Sequence, residues 1–190
     1  MSGLGVGQPR ERWNTETLRS LLAWIQGDLS KAEEYLNSAL AIGSETVPEA
    51  MAVYRSQLLV TRLFQGCMDE VAALAEAMAT LASDHGGLPI LRSGLAMLYC
   101  RLGRDAEALE VIEVDIADRF AQFPYDMTWV QAMVLLSDIC VHLRRNDGGS
   151  VLYERLLPWH SQIAVTQTTA QGPVARVLGN LATLSGRYED

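Results

Sequence analysis

The sequence predicts an all-α fold, an α-solenoid of stacked helical hairpins. Good helix formers such as Ala, Leu, Glu, Arg and Met are abundant, and β-branched residues do not form alternating runs. Predicted chain reversals also recur, 39, 37, 41 and 42 residues apart, at Gly27, Gly66, Gly103, Arg144 and Gly186. A short hairpin cannot bury its apolar face alone, so this regular spacing is typical of stacked repeats.

The predicted repeat domain spans residues 13–190 and follows a flexible N-terminal segment at residues 1–12, which is rich in glycine and polar residues. The first helix is expected to begin after a cap at Asn14 or Thr15. Its apolar stripe consists of Leu18, Leu21, Leu22 and Ile25. Gly43 is expected to end the second helix as a left-handed cap.

The second and third hairpins follow the same plan. Pro48 lies in the first turn of the third helix, where proline is tolerated, and the fourth helix ends near His85. Pro89 opens the fifth helix, and residues 95–112 form the third hairpin around Gly103, with apolar residues at helical spacing. Glycine is favoured at such a corner because a Cβ is strained at positive φ.

The fourth hairpin departs from this plan. A break at residues 123–126 precedes a long helix over residues 127–143, and Arg144 stands where the other corners have glycine. We therefore expect a looser corner, or one in which Asn146 takes the left-handed conformation. Further along, residues 159–171 are predicted to form the longest connection of the chain.

The last repeat is predicted to be truncated. Pro173 starts a ninth helix, and the sequence stops just after the corner at Gly186. The apolar face of this helix consists of Val174, Val177, Leu178, Leu181 and Leu184. Because no second helix follows to cover it, we expect this face to be exposed and to favour a homodimer through the last repeat.

Composition limits the class of function. The formal net charge of −8 disfavours direct binding to nucleic acid or to an anionic membrane. A secretory h-region and a membrane-spanning apolar run are both lacking in the sequence, so a cytoplasmic location is expected. Cys67, Cys100 and Cys140 lie in three different repeats, beside only three histidines, so neither a metal site nor a cofactor is expected.

Within the third repeat, a pattern of large and small residues resembles the tetratricopeptide repeat. It consists of Leu95, Ala96, Tyr99, Gly103 and Ala108. A spacing of about 40 residues looks like the longer helical repeats of MalT-like regulators. The resemblance implies a right-handed α-solenoid of about 4.5 tetratricopeptide-like repeats, with ~9 helices.

The C-terminal half carries a second resemblance. Residues 123–126, 152–158 and 172–175, with Trp129, resemble a block near the C-terminus of large bacterial signalling ATPases, among them LuxR-type transcription regulators and nucleotide-cyclase-linked ATPases. This implies a protein–protein interaction or sensor module of a bacterial signalling or transcription-regulatory protein. Its partner would be a protein or peptide, or an NTPase or output domain of the same protein. Because the chain has no G-x-x-x-x-G-K-[ST] loop, it is expected to be non-catalytic by itself.

In tetratricopeptide arrays, certain helix positions line a concave groove. The resemblance gives these partner-binding candidates: Arg101, Asp138, His142, Arg176 and Asn180. Two interpretations stay open. Arginine in a polar groove can hold a carboxylate or phosphate of a partner. Alternatively, Asp138 and His142, four residues apart on one helix, form an ordinary solvated pair.

The alternative function is that of a small-molecule receptor whose effector binds in the groove, and an enzyme is the third hypothesis. A closed apolar pocket with one or two arginines would favour a metabolite. An open channel would favour a peptide or a partner helix. The sequence assigns no catalytic residues.

Overall fold

The computed structural model describes residues 8–84, 89–166 and 169–187. Helices make up 74% of the structure, and its described residues form nine α-helices and one small two-stranded sheet, which confirms the predicted all-α character. Residues 1–7 of the predicted N-terminal segment and the predicted helix end at His85 lie outside the described ranges. The helices are α1 (Pro9–Ile25), α2 (Leu29–Gly43), α3 (Ala50–Gln65), α4 (Met68–Asp84), α5 (Pro89–Arg101), α6 (Asp105–Ala117), α7 (Trp129–His142), α8 (Asn146–Leu156) and α9 (Val174–Leu184).

The sheet pairs β1 (Ile163–Val165) with β2 (Ala170–Pro173), and a 3-10 turn at Leu157–Trp159 precedes it. The connection predicted over residues 159–171 therefore contains regular structure. The side chains of β1 alternate between exposed, buried and exposed. This is the pattern of a strand, but a run of three residues is too short to be recognised in a sequence.

The chain divides into two compact units. The first comprises residues 1–68 with 167–170, and the second comprises residues 69–166 with 171–190. In the first unit, α2 packs against both α1 and α3. One core cluster of this unit consists of Trp13, Ala39, Val47 and Ala50, with Ile42 and Val53 packed against it.

Helix α1 begins earlier than predicted. Pro9 is its first residue, so residues 9–12 of the predicted flexible segment are helical. Proline suits this position because its φ is preset for a helix and its missing N–H has no helical acceptor there. Thr15 is not a cap, since its hydroxyl donates to a main-chain carbonyl one turn earlier. The longer helix includes Trp13, which is 2% exposed.

The buried face of α1 differs from the predicted apolar stripe. Leu21 is buried, but the other members are more than half exposed: Leu18, Leu22 and Ile25. Thr17 and Ser20 are buried instead. The Ser20 hydroxyl donates to the Ala32 carbonyl of α2 at 2.8 Å. Small polar residues are therefore accommodated where the two helices approach closely, because their hydroxyls find main-chain acceptors.

Gly43 allows Trp13 to pack closely against α2 and does not cap the helix. It belongs to α2, and its φ is not positive, so the predicted left-handed cap is wrong. A Cβ added at Gly43 would lie 2.5 Å from Cδ1 of Trp13 and 2.9 Å from the Ala50 Cβ. The position requires glycine because the indole of Trp13 occupies the space that a side chain would take.

All five predicted corners are present and share one geometry. The corner residues have φ of 82°, 75°, 71°, 55° and 69° at Gly27, Gly66, Gly103, Arg144 and Gly186. At each corner the N–H of the next residue donates to the carbonyl five residues earlier, at 2.8 to 3.0 Å, as in a Schellman motif. The Arg144 corner is as tight as the others, and Asn146 is already the first residue of α8. Both expectations for this corner are therefore wrong.

In the second unit, α5 packs against α6, and α7 packs against α8. Helix α7 also packs against α5 and α9, and α8 packs against α9. These contacts bury the apolar face of α9, namely Val174, Val177, Leu178 and Leu181. The predicted exposed face is therefore wrong, and the homodimer stays a prediction without support from this face. Among the described residues we find no helix with the length and apolarity that a bilayer crossing requires.

Candidate functional site

The five predicted partner-binding residues all lie on α5, α7 and α9 of the second unit. Arg101 and His142 are the last residues of α5 and α7, each two residues before its corner. Asp138 and Asn180 lie six residues before the corners that end α7 and α9. Because α7 packs against both α5 and α9, equivalent positions on these helices belong to neighbouring elements.

Arg176 and Asp138 form an ion pair between α9 and α7. The guanidinium donates to both carboxylate oxygens, from Nη1 at 3.0 Å and from Nη2 at 2.9 Å. Nη2 also donates to the Gln171 carbonyl at 3.3 Å. The hydrogen bond to Asp138 raises the pKa of Arg176 above its ordinary value. To bind Arg176, a partner carboxylate or phosphate would therefore have to displace the Asp138 carboxylate or share the guanidinium with it.

His142 pairs with Asp105 rather than with Asp138. Its Nε2 lies 2.9 Å from Oδ1 of Asp105, the first residue of α6. Asp138 is held by Arg176, so the interpretation of a solvated pair along α7 is wrong. The His142–Asp105 contact joins two hairpins that are consecutive in the chain.

Arg101 and Asn180 differ from the other predicted residues in their contacts rather than in their exposure, since His142 and Arg176 are exposed too. The side chains of Arg101 and Asn180 are both exposed. Within the described residues, the structure shows no hydrogen bond or ion pair to either of them. They are therefore the predicted residues best placed to contact a partner without first breaking an internal interaction.

Cys100, which the sequence pattern does not indicate as a site residue, lies close to His142. Its Sγ lies within 4.8 Å of a ligand atom of both Asp105 and His142, and the residue is 6% exposed. Burial, together with the Asp105 charge, raises the pKa of the thiol to about 11. The thiol is therefore protonated at neutral pH, which disfavours it as a catalytic nucleophile.

The cluster of Cys100, Asp105 and His142 could not be recognised from close sequence spacing, because Cys100 and His142 lie in different hairpins. The packing of α5 against α7 brings the two residues together. A usable signal did exist, since Cys100 and His142 lie three and two residues before successive corners and Asp105 lies two residues after the first. The positions of these three residues relative to the corners, and not their spacing in the sequence, therefore indicate the cluster.

Other arginines of the second unit are held by carboxylates. Arg145 binds Glu113 and Asp147, and Arg104 binds Glu107. The Arg145 hydrogen bond lowers the pKa of Asp147 to about 2. These arginines are neutralised locally, which does not favour a phosphate-binding surface at these positions.

Two cavities of the first unit bear on the alternative of a small-molecule receptor. One, lined by residues that include Trp24 and Gln57, has a volume of about 10 Å³, enough for about one water molecule. The other, of about 200 Å³, is lined by residues 44–48 with Met51. Metabolite pockets usually measure about 300–1,000 Å³. Neither cavity is lined by an arginine or by a predicted site residue.

The chain has been compared with models of protein families, with curated proteins and with solved structures. No family model matches it, and no curated protein or solved structure matches it significantly.

Proposed function

We propose that the chain is a protein–protein interaction module, or a sensor that acts through such interactions, and is non-catalytic by itself. Its hairpins would stack as tetratricopeptide-like repeats of a right-handed α-solenoid. Two features support this arrangement: the common left-handed geometry of the five corners, and the packing of α7 against both α5 and α9. The parent would be a cytoplasmic bacterial signalling or transcription-regulatory protein.

One observation carries the proposal. The exposed Arg101 and Asn180 lie on α5 and α9, and the Arg176–Asp138 pair lies on the helices α9 and α7. Polar groups are thus distributed over three successively packed helices. A peptide or a partner helix that crosses these helices can form hydrogen bonds with each in turn.

The chemistry of the partner follows from the same residues. Arg101 can bind a carboxylate, and the Asn180 amide can bind a main-chain group. The partner would be a protein or peptide segment, including an NTPase or output domain of the same protein. The net charge of −8 supports a function without direct nucleic acid or membrane binding.

The small-molecule receptor is the weaker alternative. It needs an enclosed pocket that contains an arginine, and the cavities of about 10 and 200 Å³ described above contain none. A metabolite held by the groove residues would lie on an open surface, where little of it would be buried.

The proposal can be tested with peptides selected from a displayed random library on the purified, tag-free protein. Their affinities are measured by fluorescence anisotropy for the wild type, Arg101→Glu, Asn180→Arg and the control Glu110→Arg. Glu110 is an exposed residue of α6, outside the proposed surface. Each of the first two variants should weaken binding at least about tenfold, and the control should leave it unchanged.

Two results would contradict the proposal. Selected peptides that bind Arg101→Glu and Asn180→Arg as tightly as the wild type would place the interaction elsewhere. A rise in melting temperature with a candidate metabolite, abolished by the same two variants, would favour the receptor instead.

A further inference from the structure

We propose that Cys100, Asp105 and His142 form a binding site for a divalent transition metal ion, and that Zn²⁺ fits it best. The three side chains come from α5, α6 and α7, within the second unit. One ligand atom from each, a sulfur, a carboxylate oxygen and a ring nitrogen, lies within 4.8 Å of the other two.

The kinds of ligand define the class of metal. Thiolate, imidazole and carboxylate together are typical of zinc sites, whereas Mg²⁺ and Ca²⁺ prefer oxygen ligands alone. Bonds of about 2.0–2.3 Å in a tetrahedral zinc site place the ligand atoms about 3.3–3.8 Å apart. The present separations, between 2.9 Å for His142–Asp105 and the limit of 4.8 Å, bracket this range. Small side-chain rotations would therefore bring the three atoms onto one ion.

The surroundings allow these rotations. The side chains of Asp105 and His142 are 58% and 46% exposed, so both can adjust, while Cys100 is buried and fixed. A metal bound here would have three protein ligands, and its fourth position would face solvent. A site of this kind takes a water molecule or a donor group of a partner at the open position.

Two corners hold the ligands in place. The Arg104 N–H donates to the Tyr99 carbonyl at 2.8 Å and closes the corner between Cys100 and Asp105. The Arg145 N–H donates to the Cys140 carbonyl at 2.8 Å and closes the corner after His142. The ion would link two consecutive hairpins, and on coordination the Cys100 thiol would release its proton to solvent.

The test is a titration of the reduced, tag-free full chain with Co²⁺, followed by displacement with Zn²⁺. A thiolate ligand gives cobalt an intense charge-transfer absorption in the near ultraviolet. We expect this band to saturate at one equivalent of Co²⁺ and to disappear when Zn²⁺ is added. Wild type, Cys100→Ser and His142→Gln are compared with two matched controls, Cys67→Ser and His160→Gln, which change a cysteine and a histidine outside the cluster.

Cys100→Ser should abolish the band, and His142→Gln should weaken binding at least about tenfold, as is usual for the loss of one metal ligand or its support. Both controls should bind like the wild type. Zn²⁺ should also raise the melting temperature of the wild type but not that of Cys100→Ser. Absence of a thiolate band in the wild type, or a band that survives Cys100→Ser, would overturn the proposal. If Cys100→Ser fails to fold, the exposed His142 still provides the test, and unchanged binding by His142→Gln would also overturn it.

Discussion

Nε2 of His142 lies 2.9 Å from Oδ1 of Asp105, although 37 residues separate them in the chain. Asp105 lies two residues after the corner at Gly103, and His142 lies two residues before the corner at Arg144. The contact exists because α7 packs against α5 with the two corners at the same end. In this unit the spacing of the corners therefore determines which polar side chains meet.

The first prediction concerns the corner at Arg144, where φ is 55°. A side chain at positive φ costs about 1–2 kcal/mol, and the extra freedom of glycine in the unfolded chain offsets about half of any gain. Arg144→Gly should therefore raise the free energy of unfolding by about 0.5–1 kcal/mol. The control Arg144→Ala keeps a Cβ and should change it little. Urea unfolding followed by circular dichroism measures both, and equal stability of the two variants would contradict the assigned strain.

The second prediction contrasts two helical glycines. Gly43→Ala should lower the free energy of unfolding by about 1–3 kcal/mol, because the new Cβ would collide with the indole of Trp13. Gly179→Ala should raise it by about 0.5–1 kcal/mol, because Gly179 lies in α9 with no atom within 4 Å of an added Cβ. Chemical unfolding curves give both values. A Gly43→Ala protein as stable as the wild type would argue against the packing of Trp13 on α2.

The third prediction concerns the partner of Asp138. A double-mutant cycle with Asp138→Asn and Arg176→Gln should give a coupling free energy of about 0.5–1 kcal/mol, as expected for a bidentate pair near the surface. The matched cycle with Asp138→Asn and His142→Gln should give a coupling near zero. Stronger coupling to His142 than to Arg176 would show that the pair along α7 forms in solution instead.

The fourth prediction is a pH dependence in the first unit. Arg62 of α3 donates two hydrogen bonds of 2.7 Å to Glu33 of α2, and these lower the pKa of Glu33 from its ordinary 4.5. A carboxyl whose pKa is lower in the folded protein adds stability above its ordinary pKa, and this stability is lost as the pH falls through the folded value. Glu33→Gln should therefore lower the free energy of unfolding at neutral pH by up to about 1 kcal/mol, since the pair is partly exposed.

The difference between wild type and Glu33→Gln should shrink towards zero once the pH is below the folded pKa of Glu33. Unfolding curves at a series of pH values measure it. Glu34→Gln is the control, because Glu34 is its exposed neighbour, and it should show a smaller difference from wild type at neutral pH. A Glu33→Gln difference that stays constant down to acid pH would contradict this account of the pair.

The corners were predictable from the sequence because they depend on local physics. A helix that ends in a left-handed residue favours glycine, and four of the five corners have it. The corner at Arg144 was predicted from the spacing of the corners alone. Its φ of 55° shows that the position of the corner in the chain outweighs the preference of a non-glycine residue for negative φ. At the four glycine corners, the sequence pattern and the backbone geometry agree because a few adjacent residues decide the outcome.

The remaining features depend on contacts between distant residues. The sequence suggested that Leu18 and Leu22 face the core, but Thr17 and Ser20 are buried instead. Their hydroxyls find main-chain acceptors, for Thr17 the Trp13 carbonyl one turn earlier in α1 and for Ser20 the Ala32 carbonyl of α2. The left-handed cap predicted at Gly43 is wrong because glycine is needed there for the contact with Trp13, and the residues next to Gly43 in the sequence do not indicate that contact. The cluster of Cys100 with Asp105 and His142 likewise requires knowledge of which helices pack together.

The most direct test of the stacked hairpins is a set of nuclear Overhauser effects that join α8 to α6 and to α9. A Cβ at Gly148 would lie 3.4 Å from the Cδ1 methyl of Ile116, and one at Gly149 would lie 3.0 Å from the Cδ2 methyl of Leu184. A chain with labelled isoleucine and leucine methyl groups should show strong cross-peaks from Ile116 to the Gly148 α protons, and from Leu184 to those of Gly149. Absence of both, while cross-peaks within the α5–α6 hairpin are present, would contradict the stacking on which the proposed site depends.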